Sequence, residues 1–211
     1  MTLNYQNLST IVKDIEINKN AKLLIVTKNQ IVDDIIELNS KGFRVFGENR
    51  VQEAKSKYQN LPNLNEIELH LIGPLQRNKV KSALKMFNVI QSIDRISLVD
   101  EIAKQINGSS DIKTKEFFIQ VNIGDEEQKS GVLKKNLSTL YQYSIEKKIN
   151  IVGLMCIPPN ITDPSDSFKE MVKLRDEINQ NLKLSMGMSN DYKIALNFQT
   201  NIIRIGSLIF V

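Results

Sequence analysis

The sequence predicts a closed parallel (β/α)8 barrel of the TIM type, built as a single domain over residues 1–211, with one additional helix at its N-terminus. Three observations predict it. Eight short apolar runs alternate with longer polar or amphipathic stretches. Several runs are apolar throughout, as in FFIQV (Phe117–Val121) and NIIRIG (Asn201–Gly206), the pattern of strands covered on both faces. Eight β-α units in 211 residues fit one closed sheet with helices outside it.

The leading helix carries Leu8, Ile11, Val12 and Ile15 on one face. Strand candidates follow at Lys22–Lys28, Arg44–Asn49, Ile67–Gly73, Val89–Asp94, Phe117–Asn122, Ile149–Pro158, Leu184–Ser189 and Ile202–Ser207. Between them run helical stripes: Val80, Ala83, Leu84 and Phe87; Leu98, Val99, Ile102, Ala103 and Ile106; Leu137, Leu140, Tyr141 and Ile145. Phe168, Met171, Val172 and Ile178 form a weaker one. The sequence stops just after the eighth strand, so the leading helix is expected to take the last place in the outer ring. An open doubly wound sheet is the alternative. No G-x-G-x-x-G follows the first strand, which weakens its dinucleotide-binding version.

Composition excludes several functions. One histidine, His70, and one cysteine, Cys156, cannot build a structural zinc site. The lone cysteine also excludes an internal disulfide and fits a reducing, cytoplasmic setting. No apolar stretch approaches the ~20 residues of a membrane span, and no signal peptide is apparent. Net charge is +4, a mild excess that selects no partner. Aromatic residues are 6% with no tryptophan, too few for a base-stacking platform. Arg77, Lys79, Lys81 and Lys85 cluster after the third strand and read as a solvated helix face. Nucleic-acid and membrane partners are therefore not expected.

In such a barrel, reactive groups sit at the C-terminal ends of strands. Those ends carry Lys28, Glu48-Asn49, Gly73-Pro74, Ser92 with Asp94, Asn122, Pro158-Pro159, Ser189 and Arg204 through Ser207. A lysine, an arginine, amides, hydroxyls and turn glycines suit a small anionic ligand such as a phosphate. Each also has a plainer reading. Lys28 is most often a solvated flank, Glu48-Asn49 a turn and cap, and Ser189-Asn190-Asp191 an N-cap cluster. His70 reads as a satisfied strand histidine and Cys156 as a small core residue. Arg204, inside an apolar strand, requires a partner. These patterns give a barrel with a phosphate-friendly mouth and choose no reaction.

The ordered motifs IVTK, VFGENRVQEAKSK, LHLIGPLQRNKVK, QSID, FIQVNIGDEEQKSGV, GLMCIPP, LSMGMSNDY and IIRIGSLIF go further. Together they closely resemble the pyridoxal 5′-phosphate homeostasis proteins, single-domain relatives of the alanine racemase N-terminal barrel, the fold type III architecture. The resemblance runs from about Lys22 to Phe210. It implies that pyridoxal 5′-phosphate is held as a Schiff base on Lys28, with the strand end partly desolvating the amine. It implies that Ser189, Gly206 and Ser207 hold the phosphate, that Arg204 faces the pyridine nitrogen, and that Asn49 lines the pocket. Many of those proteins have threonine at Ser207 and histidine at Pro74, so a role for that histidine does not carry over. An arginine cannot accept the ring proton, which makes the ring a poorer electron sink than a carboxylate would.

The function so implied is vitamin B6 homeostasis by a monomer without catalysis, with apo forms of pyridoxal phosphate-dependent enzymes as candidate recipients. The alternative is a weak racemase-like enzyme. Racemases of this fold type take a second acid–base from an added domain, for which the sequence leaves no segment, so two-base racemisation is not expected. A cofactor-free Schiff-base aldolase is the third reading, with Glu48 as its base.

Overall fold

The computed structural model describes residues 2–18, 21–59, 61, 66–160 and 163–211. All eight predicted runs form strands. In chain order they are β1 (Lys22–Val26), β2 (Val45–Glu48), β3 (Glu68–Leu71), β4 (Val89–Ile93) and β5 (Glu116–Asn122), then β7 (Ile151–Cys156), β8 (Lys183–Met188) and β9 (Ile202–Ile205). A two-residue strand, β6 (Val132–Leu133), lies between β5 and β7 and extends the end of β5. Every pairing between these strands is parallel. β1 pairs with both β2 and β9, and β4 with β5, so the sheet closes on itself.

The helices are α1 (Tyr5–Asn18), α2 (Val32–Ser40), α3 (Val51–Tyr58), α4 (Val80–Met86), α5 (Ile96–Asn107), α6 (Leu137–Glu146), α7 (Ser165–Ile178) and α8 (Tyr192–Ala195). α1 takes the predicted place beside the last strand. Asn7 donates to the Leu208 carbonyl at 2.9 Å, and the Tyr192 hydroxyl donates to Asp14 at 2.8 Å. Leu3 forms an antiparallel bridge with Phe210. Among the described residues no helix is long and apolar enough to cross a membrane.

Strand side chains alternate between two apolar layers. The outer layer packs against the helices and includes Ile25, Phe46, Leu69, Phe117, Ile119 and Ile203. The inner layer fills the lumen with Leu24, Val26, Ile72, Val89, Phe118, Met155 and Ile202. This alternation answers why β1 runs into a lysine. Lys28 follows Leu24 and Val26 on the lumen side, two residues past the strand. By the same parity Asn49, Arg204 and Gly206 continue inward-facing rows.

The N-terminal rim of the barrel is tied by the ion pairs Lys22–Glu68 (3.0 Å) and Lys183–Glu116 (3.2 Å). Both are well solvated, so as simple pairs they contribute little. Glu68 differs because buried His70 donates to it at 2.7 Å. That hydrogen bond, foremost, holds its carboxyl at about 2, below the usual 4.5. A lowered folded value stabilises above the unfolded one and is lost as pH falls through the folded one. Glu68→Gln is therefore expected to flatten the acid limb of the stability curve between about pH 4.5 and 2. Denaturant midpoints measured across that window check it, and parallel acid limbs for the two proteins would refute it.

Candidate functional site

A cavity of about 770 Å³ opens at the C-terminal ends of the strands, and Lys28, Asn49, Ser189, Arg204, Gly206 and Ser207 all line it. The closed sheet brings together residues that the sequence separates by up to 179 positions (Lys28 to Ser207).

Lys28 departs from expectation in one respect. It is exposed to the cavity, while its neighbour Thr27 is fully buried. β1 ends at Val26, so the strand does not desolvate the amine. The turn holds it in place instead. The Lys57 ammonium on α3 donates to the Thr27 carbonyl at 2.6 Å, and Glu53 on α3 accepts from the Asn29 N–H at 2.5 Å. Asn29 sits at φ 62°, a left-handed conformation that asparagine tolerates. Lys28 therefore projects from a turn clamped on both sides by one helix.

Behind the clamp lies a buried polar network. Lys57 also donates to Glu53 (2.6 Å) and Glu48 (3.1 Å). The Thr27 hydroxyl donates to Glu48 and is hydrogen-bonded to the Tyr58 hydroxyl, both at 2.8 Å. Burial raises the Glu48 carboxyl above its ordinary range, only partly opposed by Thr27 and Lys57. Desolvation also acts on Glu53, but hydrogen bonds from Lys57 and the Asn29 N–H hold it down. Glu48 belongs to the outer row of β2 with Phe46, and it faces α3 rather than the cavity. That position removes the base required by the aldolase reading.

Arg204 is 4% exposed and has partners, as a buried guanidinium must. They are uncharged. Nη1 donates to the Ser185 carbonyl (2.6 Å) and hydroxyl (2.9 Å), and Nη2 donates to the Cys156 carbonyl (2.7 Å). Three of its five N–H donors are engaged. The Nε–H and one Nη2–H make no bond among the described residues. Cys156 is a core residue, and burial pushes its thiol up to about 12.

The turns after β8 and β9 meet where the Gly206 N–H donates to the Ser189 hydroxyl at 3.4 Å. Gly187, at φ +96°, lies in the irregular register between Ser185 and Met188 and turns β8 toward β9. A side chain there would also strike Ala195, 2.7 Å away. Asp191 heads α8, but its carboxylate accepts the Met188 N–H at 2.5 Å instead of capping the helix. Among the described residues, the Ser207 and Leu208 N–H groups donate to no backbone carbonyl.

Gly73 fixes Asn49 from the other side. A Cβ on Gly73 would lie 2.7 Å from Asn49 Cα and 2.8 Å from its carbonyl carbon, with the Asn49 oxygen closer still. Backbone cannot yield as a flexible side chain can. Gly73→Ala is expected to destabilise by about 1–3 kcal/mol and to displace Asn49 from the cavity wall. Urea midpoints and the Asn49 side-chain amide resonances check this, and an unshifted amide would refute it.

Sequence reasoning missed Gln120, Lys129 and Asp191 on the cavity wall and the clamp from α3. Gln120 was legible by parity with Phe118, and Asp191 lay within a cluster read only as a cap. Lys129 lies on the loop before β6, where it donates to the Pro158 carbonyl (3.2 Å) and pairs with Glu126 (2.7 Å). No periodicity marks such a residue.

No protein-family model matches the chain. Among curated proteins, the pyridoxal phosphate homeostasis protein of Aquifex aeolicus is 40% identical over 199 residues, covering 90% of this chain and 86% of the relative. The chain belongs to the pyridoxal phosphate homeostasis protein family. A second member, from Synechocystis, is 35% identical over 201 residues, covering 90% of each chain. Among solved structures, PipY of Synechococcus elongatus without PLP matches at a TM-score of 0.86 and 30% identity, over 98% of this chain and 99% of PipY. PipY with PLP bound matches at 0.82 and 29%, with the same coverage. The alanine racemase of Clostridium difficile matches at 0.73 and 14% identity, over 98% of this chain and 57% of the racemase. That likeness establishes the fold shared between the homeostasis protein family and the racemase barrel.

Proposed function

We propose that this chain binds pyridoxal 5′-phosphate through Lys28 and acts in its homeostasis without a reaction of its own. One observation carries the reading: a lysine amine, a buried arginine with uncommitted N–H donors and the two turns that meet at Ser189 and Gly206 converge on one cavity. The residues fit the group on their own chemistry. Lys28 supplies the amine that an aldehyde requires. Ser189, Gly206 and Ser207 supply hydroxyl and N–H donors for a phosphate. The Arg204 donors suit a ring nitrogen that remains an acceptor. Bound there, the cofactor supplies an aldehyde and an aromatic ring able to delocalise charge. Asn49 lines the wall beside it.

Two features favour holding the cofactor over catalysis. Arg204 offers the ring nitrogen only donors, so it cannot sustain the protonated ring that makes a strong electron sink. The other titratable groups on the wall are engaged: Lys129 with Glu126 and Pro158, and Asp191 with the Met188 N–H. We read the whole of residues 1–211 as one cofactor-binding domain, monomeric and cytoplasmic, with apoenzymes as recipients.

The test is to mix equimolar protein and pyridoxal phosphate, record the absorption spectrum, reduce with borohydride and map the labelled peptide. A visible band that disappears on reduction, with label on the Lys28 peptide, is expected. No band, or equal labelling of many surface lysines, would overturn the reading. Turnover of amino acids by the loaded protein would overturn the non-catalytic part.

A further inference from the structure

The only histidine of the chain is unused by the reading above, yet it is buried in the barrel and bonded at both ring nitrogens. Glu68 meets Nε2 at 2.7 Å, and the Gln91 amide nitrogen meets Nδ1 at 2.7 Å. A carboxylate only accepts, so Nε2 carries the proton and Nδ1 accepts from Gln91. The Gln91 oxygen accepts from the Ser185 hydroxyl at 2.6 Å, and that hydroxyl accepts from Arg204 Nη1 at 2.9 Å.

The side chains thus form one unbroken chain: Arg204, Ser185, Gln91, His70, Glu68. Every donor points the same way, from the cation at the cavity to the anion at the opposite rim, where Glu68 pairs with Lys22. The link from Ser185 to Gln91 crosses the lumen from β8 to β4. His70 and Gln91 are 1% and 0% exposed. Aligned hydrogen bonds in such a low-dielectric interior reinforce one another, and loss of one member leaves its neighbours unpaired. Apolar residues fill the rest of the lumen, so a lumen position does not itself demand polar side chains.

We propose that Ser185, Gln91 and His70 are positioning residues: they fix the Arg204 guanidinium so that its uncommitted N–H groups face the ligand, and they couple that contact to the Lys22–Glu68 pair on the far rim. The purpose assigned here rests on the cofactor-binding reading, while the relay itself does not.

The experiment uses the full chain labelled with [15N]histidine, whose single residue gives one pair of ring-nitrogen resonances, together with Ser185→Ala. That change removes one hydroxyl and keeps the backbone carbonyl that Arg204 also uses. In the cofactor-free wild type, the Nε2–H tautomer is expected. Ser185→Ala is expected to move both ring resonances, although Gln91 separates the two residues. With pyridoxal phosphate added, it is expected to weaken retention roughly three- to tenfold and to shift the absorption maximum of the bound cofactor. An Nδ1–H tautomer, or ring resonances unmoved by the substitution, would overturn the relay. Moved resonances with unchanged retention and band would overturn its role toward Arg204. Absence of a cofactor band in the wild type would overturn the binding reading, an outcome seen without any variant, and the histidine resonances would still decide the relay. Should Ser185→Ala not fold, Ser185→Cys, which keeps the size of the side chain but is a weak donor and acceptor, replaces it in the same measurements.

Discussion

Lys28→Ala is expected to abolish covalent capture of pyridoxal phosphate while leaving stability within about 0.5 kcal/mol of the wild type. The two halves of this expectation have separate causes. Capture depends on one amine, and no other group in the turn can replace it. Stability does not depend on that amine, because Lys28 is exposed and the clamp grips its neighbours. Lys57 holds the Thr27 carbonyl, and Glu53 holds the Asn29 N–H. Neither contact involves the Lys28 side chain. The phosphate turns at Ser189 and Gly206 also remain, so weak reversible binding is expected to persist without a band that borohydride can trap. Absorption spectra, borohydride labelling and urea midpoints of the two proteins check each part. Label retained on Lys129, the second lysine on the cavity wall, would overturn the assignment to Lys28.

The barrel was legible because its strands are apolar on both faces and obey a period of two. That period also places the inward row of β1 at Leu24, Val26 and Lys28. The strand ends alone gave a wider set, with Glu48, Ser92, Asp94 and Asn122 off the cavity wall, and the resemblance narrowed it to the six that share the cavity. Helices were legible where an apolar stripe faces the sheet, as with Val99, Ile102 and Ala103 of α5. The reading passed over α2, although Val32, Ile35 and Leu38 line its core-facing side, and α3, whose apolar positions are few. In α3 the reason is physical: its buried face includes Lys57 and Tyr58, which serve a polar network rather than an apolar core. β6 is too short for any pattern. Glu48 was misplaced for a related reason. A residue at a strand end can face the mouth or the helices, and only its parity with Phe46 decides. The relay through His70, Gln91 and Ser185 joins residues up to 115 positions apart (His70 to Ser185), and no local spacing signals it. Local rules fail where the chain gives up apolar packing to orient a group at the site.

The clamp gives the second large effect. Lys57→Met is expected to destabilise by about 3–5 kcal/mol, the range for breaking a buried ion pair by removing one partner. The Lys57 side chain is 10% exposed, Glu48 0% and Glu53 21%. The ammonium directs donors at Glu48, Glu53 and the Thr27 carbonyl. Methionine takes the cation from all three, leaving Glu48 only the Thr27 hydroxyl, Glu53 only the Asn29 N–H and the Thr27 carbonyl only the Gln30 N–H. The pH dependence separates this cause from lost packing. Glu48 has a raised folded value, so its contribution is present below the ordinary 4.5 and declines as pH rises through the folded value. Lys57 opposes that rise, and its removal makes the decline steeper. Glu53 has a lowered folded value, so its contribution is present above 4.5 and lost in acid. It derives largely from Lys57, and the variant forfeits it at neutral pH. Both carboxylates therefore give the same sign: the deficit of the variant is largest near pH 7 and shrinks below about pH 4.5. Urea midpoints of wild type and variant at pH 4 and pH 7 measure it, and equal deficits at both would mean that the lysine acts only through its packed stem. Cofactor capture responds in the same variant, since releasing the Thr27 carbonyl frees one side of the turn that presents Lys28. Reduced labelling of an intact Lys28 would then mark α3 as part of the site, although none of its residues lines the cavity.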